Sequence, residues 1–194
     1  QLNQDGTLIL DDNNEPIPTY DQETVNNFTK VFTGWELCNN SSSPACPNVT
    51  LGTSNYIDPM YIRNQNRHDV DPKVLLDYPN PVNKNIAADL DGEVELELAL
   101  DNIFHHPNVA PFVSKYLIQQ MVTSDPTPAY VGRISAVFRN NGNGVRGDLR
   151  AVVKAILLDP EARGDFKTDP NFGKLREPLQ LLGNVYRRLN VRSF

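Results

Sequence analysis

At 194 residues, 39% hydrophobic and 22% charged, the chain has the size and composition of one soluble domain with a core of its own. Its formal net charge is −6, with Lys and Arg spread thinly except near the C-terminus, so no basic face is available to neutralise a phosphate backbone and nucleic acid is excluded as a partner. No apolar run approaches the roughly 18 residues that span a bilayer, and no secretory apolar core stands at Gln1, so any targeting signal would lie upstream.

Residues 1–19 read as a turn-rich lead that forms a small hairpin: Asp5-Gly6 is a turn dipeptide, Leu8-Ile9-Leu10 a short apolar run, and residues 11–16 a second polar turn. The acidic cluster around Asp11 lacks the glycine and terminal glutamate of an EF-hand loop and reads as solvated. A first helix is expected over residues 19–33, with Thr19 and Gln22 as a capping box, Val25, Phe28, Val31 and Phe32 as its apolar stripe, and Gly34 as the stop. Trp35, the one tryptophan, follows as a core anchor.

From residue 36 to residue 89 periodicity fades into a long irregular region, the kind of loop that is uncommon unless functional or flexible. Cys38 and Cys46 flank a polar segment with no zinc-site spacing, which favours a local disulfide and an oxidising compartment over two free cytosolic thiols. Closing so short a loop stabilises by about 2–3 kcal/mol. Sequons at Asn27, Asn40 and Asn48 matter only in a eukaryotic secretory host.

The stretch over residues 91–158 organises the rest. Helices are expected over residues 93–104 (Leu96, Leu100, Ile103, Phe104), 107–122 (Phe112, Leu117) and 128–140 (Val131, Ile134, Val137, Phe138), with Pro107 and Pro128 at first helical positions. Asp148 caps a fourth helix carrying Leu149, Val152, Val153, Ile156 and Leu157, which argues against reading Arg146-Gly147-Asp148 as an adhesion tripeptide. Gly142, Gly144 and Gly147 have dinucleotide-loop spacing but lie between helices, without the strand that motif needs. Pro178 opens a last helix, whose Arg187, Arg188 and Arg192 suit its C-terminal dipole.

The expected fold is therefore mainly α: about five helices in one globular domain over residues 1–194, with a small N-terminal hairpin and a long irregular loop region. The expected buried set is Phe28, Phe32, Trp35, Leu100, Phe104, Phe112, Leu117, Ile134, Phe138, Val153 and Leu157.

Chemistry is less legible. His68 stands beside Asp69 and near Lys73, where a carboxylate-oriented imidazole would serve as general base or metal ligand. The plainer alternative is a surface-covering loop. His106, before Pro107, is set either to cap the central helix or to join a catalytic or ligand group. Candidate site residues are thus His68, Asp69 and His106; no cofactor is identified, and the sequence leaves metal binding open.

The run from Tyr20 to Val25 into Val31-Phe32-Thr33-Gly34-Trp35, then His68-Asp69 with Lys73, His106-Pro107 with Phe112 and Leu117, then Phe138, Leu149 and Ala151-Val152, resembles a bacterial family catalogued as domain of unknown function eighteen hundred. The likeness covers nearly the whole chain. It implies an exported, mainly helical protein, often encoded beside a sulfatase-like partner, and brings no established reaction. Members are similar to longer chains in which a helix with Glu-Asn and Ala-Arg-Glu elements precedes a segment like residues 1–19, so this chain looks like the C-terminal part. An active site using those upstream carboxylates would have His68, Asp69 and His106 as its other side. Two classes follow: an extracytoplasmic structural or partner-binding protein, its apolar surface covered by a missing N-terminal segment or another chain, and an exported enzyme with a carboxylate–histidine or metal site.

Overall fold

The computed structural model describes residues 1–39, 44–50, 55–62, 65–170, 172–174 and 177–191. Its order is α1 (Gln22–Val31), β1 (Trp35–Glu36), β2 (Tyr61–Ile62), β3 (Lys73–Val74), β4 (Asn85–Ile86), α2 (Gly92–His105), α3 (Val109–Met121), α4 (Pro128–Arg139), α5 (Leu149–Leu158), α6 (Pro160–Arg163) and α7 (Pro178–Arg188). The fold is mainly α, its sheets being two antiparallel two-residue ladders, β1 with β2 and β3 with β4. No described helix is long and apolar enough to cross a membrane. The sequon at Asn40 and the arginine at 192 lie outside the described residues.

The chain forms two compact units, Pro16–Val109 and a second made of Gln1–Glu15 with Ala110–Phe194. In the Pro16–Val109 unit, α1 packs against α2 and β3 over a core of Val31, Leu75, Ile86 and Ala99. Its N-cap is Asp21, whose carboxylate accepts from the Thr24 N–H at 2.8 Å, rather than Thr19, whose hydroxyl instead receives the Asn108 side-chain amide. Gly34, at φ 78°, ends the helix where the chain passes against the backbone of Arg67 and His68; a Cβ there would stand 3.1 Å from the His68 nitrogen. Cys38 and Cys46 are joined in a disulfide.

Asn102 ties the irregular segment to α2. Its side chain accepts from the Leu76 N–H at 3.1 Å and donates to the carbonyls of Leu76 and Val82 at 3.1 and 2.7 Å. Asn102→Ala strips two buried backbone groups and a half-buried one of their partners at once, and we expect a loss of about 2–3 kcal/mol. Urea unfolding measures it, with the Leu76 amide losing hydrogen-exchange protection first; an unchanged midpoint would rule this bridge out as a stabilising one.

In the other unit, α4 packs on α5 and α5 on α6. Thr127 caps α4, and, as the sequence predicts, Pro128 stands at its first turn and Asp148 caps α5 through the Ala151 N–H. The asparagine–glycine loop between them is held by its own side chains: Asn140 Oδ1 accepts from the N–H groups of Gly142 and Gly144, and Asn141 Nδ2 donates to Asp148. The lead forms the expected hairpin, with Leu2 bridged to Leu8, and its Gly6 sits against α4, where a Cβ would meet Val131 at 3.0 Å. Two buried carboxylates lock the α5–α6 corner: Asp159 takes two hydrogen bonds from Arg133 at 2.8 Å, and Glu161 accepts from the Thr127 N–H and hydroxyl. Burial works to raise the Asp159 pKa, yet the Arg133 hydrogen bonds, the Glu161 N–H and the Arg133 charge together outweigh it and hold the group below the usual carboxylate value.

The buried faces differ from those expected. Ile134 and Phe138 are buried, and Phe28, Trp35, Leu117 and Val153 are half-buried. Phe32, Leu100, Phe104, Phe112 and Leu157, however, are exposed. The helices turn smaller or polar stripes inward: Gly92, Glu95, Ala99 and Asn102 on α2, and Ala110, Pro111, Ser114 and Ile118 on α3. Short side chains let backbones approach closely, and this packing displaces the bulkier stripe that periodicity singles out. α3 also starts at Val109 rather than at Pro107.

Candidate functional site

His68 lies in the turn after the second ladder strand, with its ring buried between α1 and α2. Its Nε2 is 3.1 Å from Glu95 Oε2, and its Nδ1 is 2.9 Å from the Thr33 carbonyl oxygen. The Thr33 hydroxyl donates to the Lys30 carbonyl at 2.6 Å and accepts from the Asp69 N–H at 2.8 Å. With that proton committed elsewhere and a carbonyl able only to accept, Nδ1 must carry a hydrogen.

Lys73 completes the group. Its ammonium reaches the Glu95 carboxylate at 2.9 Å and donates to the carbonyls of Asp69 and Asp71 at 2.7 and 2.9 Å, so each of its three N–H bonds has an acceptor. The Asp69 carboxylate stands 3.5 Å from the same nitrogen and accepts from the Asp71 N–H. The side chains of His68, Lys73 and Glu95 expose no surface. Sealed and fully hydrogen-bonded, the cluster ties the end of α1, the 68–73 loop and the first turns of α2 together. Gly92 allows the close packing here, since a Cβ there would run into Ile62 Cδ1 and meet the His68 ring at 3.1 Å.

Of the sequence-predicted residues, the structure thus brings His68 and Asp69 into one cluster, but the carboxylate that orients the imidazole is Glu95. His106 stands at the C-cap of α2, eleven residues from Glu95 and hence about 16 Å along the helix axis. There its Nδ1 accepts from the Asn108 N–H at 3.0 Å, and its ring meets Tyr78 edge-on at 4.9 Å. Burial holds its pKa below the ordinary histidine value, in keeping with a neutral ring. Among the described residues no group of three His, Cys, Asp or Glu is placed to hold a metal ion. Sequence reasoning missed Glu95 because it looked for apolar positions. The signal was its spacing, three residues after Gly92 and four before Ala99, which puts it on the stripe of small residues facing inward.

An open apolar surface of this unit runs along α1. Tyr20, Thr24, Val25, Phe28, Thr29, Phe32, Leu76 and Ile103 line an almost wholly apolar groove of about 410 Å³. Tyr20 and Thr24 also line an adjoining groove of about 400 Å³ that carries Asp21, Glu23, Asp77 and Lys84. Three carboxylates against one ammonium make this end acidic at pH 7. The two form one apolar track with an acid flank at the N-terminal end of α1.

No curated protein and no solved structure matches the chain. Over residues 7–194 it matches the model of a family described as "Protein of unknown function (DUF1800)", and the chain belongs to that family.

Proposed function

We propose that this chain is an extracytoplasmic partner-binding protein whose working surface is the groove along α1. The observation that carries the reading is that groove: Val25, Phe32 and Ile103 remain exposed on a scaffold that the His68–Glu95–Lys73 cluster fastens. An apolar stripe that serves its own core is covered by that core, whereas one left open on a braced helix offers a partner apolar area at about 25 cal/mol per Å². A helix laid in a groove is the recurring way such a surface is used. The Cys38–Cys46 disulfide supports a site of action in an oxidising compartment.

Fluorescence anisotropy tests the reading with short designed helices bearing leucine at i, i+3, i+4 and i+7 and arginine at their C-terminal end. They are expected to bind the protein, and to bind Phe32→Asp and Val25→Asp, both substituted at exposed positions, at least tenfold more weakly. Helices that bind no better than scrambled sequences of the same composition, at protein concentrations where the chain is monomeric, would overturn it.

A further inference from the structure

A second surface is built to match the first. α7 buries none of its residues, although Leu179, Leu182, Val185, Tyr186 and Leu189 fall on one stripe at three- and four-residue spacing. Its amphipathicity is inverted relative to its own unit. Gln180, Gly183, Asn184 and Arg187, which lie opposite that stripe, line a largely polar groove with Gln120 and Lys174, and Leu179, at the start of the stripe, borders it. The apolar stripe therefore points away from the unit that carries it, the reverse of what a surface helix does when it packs for its own core.

Resting on the partner-binding reading, we infer that the partner is a second copy of this chain, whose α7 lies antiparallel to α1 in the groove while its own groove receives α7 in return. Lengths agree: α1 has 10 residues and α7 has 11, about 15 and 16 Å. Charges agree as well. In the antiparallel arrangement Arg188, at the C-terminal end of α7, comes beside Asp21 and Glu23, at the N-terminal end of α1, and the two helix dipoles oppose. Leu179 and Leu182 then reach the Phe32 end of the track. An isologous exchange makes the contact twice, as so short a helix requires if the pair is to approach the roughly 1,200–2,000 Å² of a stable interface.

Sedimentation equilibrium of the protein decides it, with circular dichroism to verify that each variant keeps its helix content. The wild type is expected to dimerise, and Phe32→Asp and Leu182→Asp each to be monomeric. A mixture of the two variants should associate measurably more than either alone but well below wild type, because one of the two contacts still joins an intact α7 to an intact groove. The charge swaps Glu23→Arg and Arg188→Glu should each weaken the dimer severalfold, and together restore it. A monomeric wild type that still binds the designed arginine helices would overturn the exchange and leave the partner-binding reading standing; a monomer that binds none would sink both. A dimer indifferent to Phe32→Asp, or a monomer whose α7 instead takes it to anionic vesicles, would equally overturn it.

Discussion

Replacing Glu95 with alanine is expected to cost about 3–5 kcal/mol of folding stability, because it leaves an ammonium buried without its counter-charge. Lys73 would keep the carbonyls of Asp69 and Asp71 and the distant Asp69 carboxylate, but the one anion in full contact with it would be gone. His68 would lose the acceptor at Nε2 in the same step. Neither side chain reaches solvent, so water offers no repair without opening the packing between α1 and α2. The loss should appear as a lowered urea midpoint with an unchanged slope. A buried ion pair is a poor source of net stability, however, so the double variant Lys73→Met/Glu95→Leu should recover much of what Glu95→Ala loses. A Glu95→Ala protein within about 1 kcal/mol of wild type would mean that the cluster does not brace this unit.

Why the fold was legible from the sequence, and the buried faces less so, follows from where the signals lie. Helix ends are local chemistry: Thr127 before Pro128 and Asp148 before Leu149 each present an oxygen to orphan N–H groups, and no tertiary information is needed to see it. Faces are a contest between stripes on one helix. On α2 the stripe of Leu96, Leu100 and Ile103 has the larger side chains, but Gly92, Ala99 and the two polar residues Glu95 and Asn102 face inward. Their burial depends on partners more than twenty residues away, Lys73 for Glu95 and Leu76 for Asn102, which periodicity does not carry. The same limit applies to the candidate site. His68, Asp69 and Lys73 drew notice as a polar cluster in a long loop, but the carboxylate that orients the imidazole lies in an apparently ordinary helix. The stripe of Val25, Phe28 and Phe32 was visible at once, whereas its half-open state depends on what the rest of the chain leaves uncovered.

Two phenylalanines that periodicity ranks alike therefore separate cleanly in energy. Phe138 is 3% exposed, on the buried stripe of α4 with Val131 and Ile134, and the Arg146 guanidinium lies 5.4 Å from its ring centre. Phe138→Ala removes a packed ring, leaves a cavity and deprives the arginine of its aromatic face, so we expect a loss of about 3–5 kcal/mol. Phe112 is 64% exposed on α3, whose buried positions are Ala110, Pro111, Ser114 and Ile118. Phe112→Ala takes little from the core and replaces an aromatic residue with the best helix former, so its effect should stay within about 0.5 kcal/mol. Paired denaturation curves of the two variants, below the concentration at which the protein associates, make the comparison. Equal losses at both positions would mean that α3 buries its large face after all, and that the small-residue packing described for it is not what holds the unit together.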